Sequence, residues 1–205
     1  VRTGILGGTF DPIHIAHLHA GECALHQASL DRVVFMPAGD PWQKPRLDLT
    51  PGHHRMTMTR IAIEGVPGFE ADSREIDRAG PTYTIDTVES FPEDEELFLI
   101  LGADAAMGIP TWHRANELVE RVTLLIVPRA GTDSTNVARL LPRSVFLDMA
   151  VLEVSGTEIR LLAGSGHPFR FLLTSAVHGY IKKQGLYTET RRDDMVGGHM
   201  ETEQS

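Results

Sequence analysis

Gly7-Gly8-Thr9-Phe10-Asp11-Pro12-Ile13-His14-Ile15-Ala16-His17 stands between a short apolar run, Thr3–Leu6, and a stretch of helical character, Ile15–Gln27. Two glycines at the end of a strand let the backbone come close to a phosphate, and the unpaired N–H groups of a following helix point at the same place. His14 and His17 have the spacing that puts two side chains on one helical face, so both can touch one anion. Further apolar runs at Arg32–Met36, Glu96–Leu101, Thr123–Val127 and Val145–Leu147 read as strands. Helices are expected near Pro51–Glu64, Thr84–Ser90, Ala115–Glu120, Ser134–Leu141, Thr157–Leu162 and Thr174–Lys182. This alternation predicts an α/β fold: a Rossmann-like, doubly wound, mostly parallel sheet with helices on both faces. A polar strand is expected around Glu70–Ile76 and an irregular loop over Gly39–Leu49.

The 205 residues, 41% of them hydrophobic, fit one compact domain over residues 1–187, followed by a polar tail over 188–205 expected to be disordered. No apolar run is long enough to cross a bilayer, and the N-terminal residues carry no secretory pattern, which predicts a cytoplasmic protein. A formal charge of −9 argues against a nucleic-acid binder that works through a broad basic surface. Anion binding must then be local. Cys23, the only cysteine, rules out an intramolecular disulfide and a thiolate zinc site of the usual kind.

Other readings of the first loop are weaker. A metal site at His14, His17 and His19 lacks a supporting carboxylate set, and His19 points to another side of the helix. A dinucleotide-binding dehydrogenase, with Asp40 as the ribose-holding acid, lacks G-x-G-x-x-G, and no G-x-x-x-x-G-K-[ST] is present for a P-loop. A second candidate anion site is Val154-Ser155-Gly156-Thr157-Glu158-Ile159-Arg160. There Ser155 and Glu158 have capping-box spacing, and Arg160 sits in the first turn, where a guanidinium can fork across phosphate oxygens.

Gly8-Thr9-Phe10-Asp11-Pro12-Ile13-His14 with His17 resembles the H-x-G-H signature of the nucleotidyltransferase superfamily, with Ala16 in place of the motif's glycine. Residues 154–160 resemble its I-S-S-T-x-I-R motif, with Gly156 in place of the second serine. Gly80-Pro81-Thr82-Tyr83-Thr84-Ile85-Asp86-Thr87 is similar to G-P-[ST]-Y-T-x-D-T of the bacterial nicotinate mononucleotide adenylyltransferases, and Leu101-Gly102-Ala103-Asp104 to their L-G-x-D.

The resemblance runs from about Thr3 to Tyr187. It implies a fold of the nucleotidylyltransferase type and adenylyl transfer from ATP, accompanied by Mg²⁺, onto nicotinate mononucleotide, giving nicotinate adenine dinucleotide and pyrophosphate. Carried over residue by residue, it implies catalytic roles for His14, His17 and Arg160. It places nucleotide on Gly7, Gly8, Thr9, Phe10, Gly102, Asp104, Ser155 and Thr157, and acceptor on Lys44, Tyr83, Thr84 and Trp112. No protein metal ligand, nucleic-acid partner or membrane partner is expected, and the sequence leaves the oligomeric state open. Nicotinamide mononucleotide or phosphopantetheine as acceptor, or a nucleotide sensor with little turnover, stay open as alternatives. The Arg55–Met58 region reads as packing rather than chemistry.

Overall fold

The computed structural model describes residues 1–39 and 49–188. Its centre is a sheet whose strands are apolar along nearly their whole length, as strands covered on both faces must be. They are β1 (Arg2–Gly8), β2 (Arg32–Pro37), β3 (Phe69–Ala71), β4 (Glu96–Gly102), β5 (Val122–Val127) and β6 (Val145–Phe146). Their order is β3-β2-β1-β4-β5-β6, and every pair is parallel. Among the described residues the helices are α1 (Ile15–Gln27), α2 (Gly52–Ile63), α3 (Arg74–Asp77), α4 (Thr84–Glu89), α5 (Ala103–Met107), α6 (Ala115–Arg121), α7 (Ser134–Leu140), α8 (Gly156–Gly164) and α9 (Ser175–Gln184). No helix among them is long and apolar enough to cross a membrane.

Strand side chains alternate between two cores, the period-2 consequence of a pleated backbone. Leu6, Val33, Phe35, Phe98 and Ile100 join one core with residues of α2, α8 and α9, such as Met58, Ile159 and Val177. Ile5, Val34, Met36, Leu99 and Leu101 join the other with Ile85, Ala106, Leu118 and Val137 from α4 to α7. The expected Rossmann-like sheet with helices on both faces is therefore what forms. Because the chain crosses outward from β1 in both directions, the carboxyl ends of β1 and β4 flank a crevice that no crossover covers.

The strand expected over Glu70–Ile76 is shorter than its polar alternation suggested. It ends at Ala71 and gives way to α3. Asp72 accepts from the Arg74 backbone N–H at 2.8 Å and from its guanidinium at 2.6 Å, and Ser73 donates to Asp77 at 2.7 Å. These local bonds offer the backbone a turn in place of a ladder. The short helix α5, which follows β4 without a connecting loop, is an addition to the expected elements. The expected loop at Gly39–Leu49 lies mostly, and the tail except for Thr188 entirely, outside the described residues.

Candidate active site

The loop after β1 ends on His14, which is the N-cap of α1 in an extended conformation. The His14 backbone N–H, an orphan donor at this helix end, is taken by Nδ1 of His17 at 3.3 Å. A neutral imidazole that accepts at Nδ1 carries its proton on Nε2, so His17 is a donor at its far nitrogen. The two imidazoles stack at 3.7 Å, and the edge of Phe10 meets the His17 ring at 4.9 Å. Phe10 holds φ at +47°, a backbone region that non-glycine residues seldom adopt and that is common at functional loops. Its ring lies over Gly8, where a Cβ would stand 2.7 Å from Cε1. Gly8 thus makes room for the ring that fixes His17.

Burial, reinforced by the Arg129 charge, pulls His14 down to about 4. His17 is also held well below the ordinary histidine value, by burial first and then by His14 and Arg129. Both are neutral near pH 7. His14 therefore makes stability pH-dependent with a defined sign. The unfolded chain takes up a proton at about pH 6.5, while the folded one resists until about 4. Stability is then complete above pH 6.5 and falls as pH drops through this window, by about 3 kcal/mol in all. His14→Asn should flatten that part of the profile. Urea midpoints measured from pH 7.5 to 4.5 check it, and equal slopes for both proteins would remove His14 as the source.

The second motif lies directly opposite. Ser155 caps α8, its hydroxyl accepting from the Glu158 N–H at 3.1 Å. Arg160 donates to the Asp11 carbonyl at 2.6 Å and to the Thr157 hydroxyl at 3.2 Å. Gly156 has its own reason here: a Cβ would stand 2.7 Å from the Asp11 carbonyl oxygen. The small residue lets the two loops close on each other. Between them lies a cleft of about 200 Å³, lined by Thr9, Phe10, His14, His17, Ser155, Thr157 and Arg160 among others.

A larger cleft of about 350 Å³ opens at the carboxyl ends of β1 and β4. Gly7, Gly8, Thr9 and His17 line one side, Gly102 and Asp104 another, and Thr84 and Trp112 a third. The two clefts share Thr9, His17 and Arg129. Tyr83 lines neither; its ring packs on His113 at 4.4 Å, and it serves as the N-cap of α4. Lys44 lies outside the described residues.

Several residues were not anticipated as part of the site. Arg129 follows β5 through Val127-Pro128, and its place just past a strand's carboxyl end is the one sequence signal that pointed here. Glu75 lines the larger cleft and accepts from the Thr87 hydroxyl at 2.8 Å; burial pushes its carboxyl up. Arg55, read as packing, also reaches the carbonyls of Thr9 at 2.8 Å and Ala38 at 2.7 Å, and so braces the loop after β1 from behind. Tyr187 donates to Asp11 at 2.6 Å in the same network. Among the described residues, no group of three or more His, Cys, Asp or Glu is placed to hold a metal ion.

Residues 5–162 match the cytidylyltransferase-like family. A relative from Dehalococcoides mccartyi, named probable nicotinate-nucleotide adenylyltransferase, is 38% identical over 91% of this chain and 97% of its own length. Another of the same name, from Corynebacterium kroppenstedtii, is 40% identical over 91% of this chain and 90% of its own. The nicotinic acid mononucleotide adenylyltransferase of Plasmodium falciparum, solved in complex with NaAD, shares the fold at a TM-score of 0.76 and 21% identity, covering 91% of this chain and 97% of that one. With the loop after β1 and the start of α8 closed on one another at the sheet's switch point and relatives of this kind along nearly its whole length, the chain belongs to the nicotinate-nucleotide adenylyltransferases of the cytidylyltransferase-like family.

Proposed function

We propose that the chain transfers the adenylyl group of ATP to nicotinate mononucleotide, and that the two joined clefts divide the substrates between them. The observation that carries this is the junction itself. The smaller cleft has the helix ends, His14 and Arg160 suited to the β- and γ-phosphates, the larger has Trp112 and Thr84 suited to a pyridine ring, and His17 stands where they meet.

In the reaction an oxygen of the acceptor 5′-phosphate forms a bond to the α-phosphorus of ATP, and the bond from that phosphorus to the pyrophosphate oxygen breaks. The acceptor phosphate is already an anion near pH 7, its second pKa being about 6, so no general base is needed. What the protein supplies is alignment of two anions and hydrogen bonds to oxygens whose charge grows in the transition state. His17, neutral and protonated on Nε2, donates to the α-phosphoryl oxygens; His14 and Arg160 serve the leaving pyrophosphate. A Mg²⁺ ion accompanying the triphosphate would supply neutralising charge at its phosphate oxygens, beside the groups of His14, His17 and Arg160 that hold them.

The acceptor is chosen at the opening of α4 beside Trp112. Backbone N–H groups at a helix start bind a carboxylate with charge-assisted bonds, whereas an amide offers them a neutral oxygen and an NH₂ that is itself a donor. The expected result is at least about tenfold higher kcat/KM for nicotinate than for nicotinamide mononucleotide, corresponding to roughly 1.4 kcal/mol. Steady-state pyrophosphate release with MgATP and each acceptor in turn, phosphopantetheine included, measures it. Preference for another acceptor would overturn the pyridine site while leaving the phosphate site standing. Folded protein that binds ATP without turnover with any of them would mark a sensor.

A further inference from the structure

Arg114 follows Trp112 by two residues and holds a backbone conformation that needs a reason. Its φ of +53° and ψ of +42° lie in the left-handed region, where a residue with a Cβ is strained and glycine is the usual choice. Such a conformation persists where surrounding contacts over-determine it. Here the guanidinium forks onto two carboxylates at once. Nη1 and Nη2 donate to Glu89 at 2.9 and 2.7 Å, and Nε and Nη2 donate to Glu117 at 3.0 and 2.6 Å. Isolated surface ion pairs contribute little, but a bidentate arginine serving two acids in one network is the geometry that does contribute.

The two acids are not equivalent. Glu117 lies in the first turn of α6, where the helix dipole favours a carboxylate. Glu89 is the last residue of α4, the end where the dipole disfavours one, and α4 has no basic residue of its own in that turn. Arg114 supplies the missing cation. With six residues, α4 is too short to hold its shape by its own hydrogen bonds, so its place is set by what it packs on. The turn over residues 112–114 meets it at both ends. The His113 ring packs on Tyr83, the N-cap, at 4.4 Å, and Arg114 grips Glu89 at the far end. Between these ends Ile85 and Val88 enter the same core as Trp112 and Leu118. Thr84, which opens α4, and Trp112, which opens the turn, both line the larger cleft.

We propose that Arg114 is a positioning residue for the acceptor: by clamping the Trp112 turn to the far end of α4, it fixes the spacing between the Trp112 face and the N–H groups at the start of that helix. This rests on the reading above that gives those two surfaces the pyridine ring and its carboxylate. Arg114 touches no substrate itself. Its strained backbone belongs to the same device, because relaxing it would swing the side chain away from both acids.

The test uses the intact protein with Arg114→Gly, Arg114→Lys, Glu89→Gln and the double variant Arg114→Gly/Glu89→Gln. Pyrophosphate release gives kcat and the KM values for nicotinate mononucleotide and ATP, and hydrogen exchange without substrate follows the α4 amides. Glycine accepts the left-handed backbone, so Arg114→Gly removes the fork and keeps the turn. It is expected to raise the acceptor KM about fivefold, the scale of one well-made exposed ion pair, and to speed α4 exchange by a similar factor, with kcat and the KM for ATP within about twofold of wild type. Glu89→Gln should raise the acceptor KM about threefold, and Arg114→Lys, which serves one acid at a time, should lie between wild type and Arg114→Gly. The double variant should be no worse than Arg114→Gly, as for two groups that act through one contact. An unchanged acceptor KM in Arg114→Gly would overturn the clamp, as would an equal rise in both KM values or a double variant whose effects multiply. If the wild type releases no pyrophosphate with nicotinate mononucleotide, the acceptor reading fails instead; faster α4 exchange in Arg114→Gly would then still support the clamp, and unchanged exchange would overturn it.

Discussion

Replacing His17 by alanine is expected to lower kcat by about 10²–10³-fold while the KM values for ATP and acceptor change little. The reasoning begins with a proton. Because the His14 N–H occupies Nδ1, the ring of His17 is fixed in one tautomer and one plane, and the edge of Phe10 prevents it from turning. A donor held in this way needs no reorganisation when charge builds on the α-phosphoryl oxygens, which is where preorganised hydrogen bonds accelerate most. Its loss corresponds to about 3–4 kcal/mol in the barrier. Ground-state binding depends more on the phosphate loops and Trp112, so the effect falls on kcat rather than KM. Alanine also frees the His14 N–H, so Tm must be followed alongside. Unchanged turnover by folded protein would place His17 outside the reacting centre.

That donor could be located from the sequence because it depends on local chemistry. Two glycines, a helix start and a three-residue histidine spacing are all near neighbours in the chain, and the structure brings them together as their order implies. Ser155 with Glu158 was legible for the same reason, since a cap is a matter of a few residues. Arg129 was not. It stands after a strand like many solvated arginines, and only the lateral pairing of β4 with β5 and the space above Gly102 make it part of the site. Tyr83 shows the opposite failure. Its motif led to the expectation that Tyr83 and Thr84 both meet the acceptor, yet the ring turns to His113 and only Thr84 of the pair lines the cleft. The polar strand near Glu70 was shortened by a carboxylate and a guanidinium two residues apart, a competition that alternation of polar and apolar residues cannot reveal.

Arg55→Ala is expected to lower Tm by about 10 °C, the second large effect, and through it the meaning of a buried charge in α2 can be tested. Arg55 is 2% exposed, and its guanidinium donates to the carbonyls of Thr50 at 2.8 Å, Thr9 at 2.8 Å and Ala38 at 2.7 Å. Thr9 belongs to the loop after β1, Ala38 and Thr50 to the two ends of the segment between β2 and α2, and none of the three lies in a helix or strand. Asp11 completes the arrangement by accepting from Tyr187 at 2.6 Å and from the Thr50 N–H at 3.3 Å. Removing the guanidinium leaves three acceptors to find water or stay bare, at about 1–3 kcal/mol for each that stays buried. Partial rehydration brings the total to about 4 kcal/mol, and about 2–4 °C per kcal/mol gives the Tm shift for a chain of this size. Arg55→Lys keeps a charge but cannot aim at three separate oxygens, so it should recover less than half of the loss. Because Thr9 lies in the loop after β1 and the Ala38 N–H bonds the Gly8 carbonyl at 2.8 Å, that loop should loosen along with the fold. Turnover measured well below the new Tm should therefore also fall. A variant with wild-type Tm would mean that the carbonyls rehydrate freely, whereas one with lowered Tm but wild-type kcat would separate the brace from the chemistry in front of it.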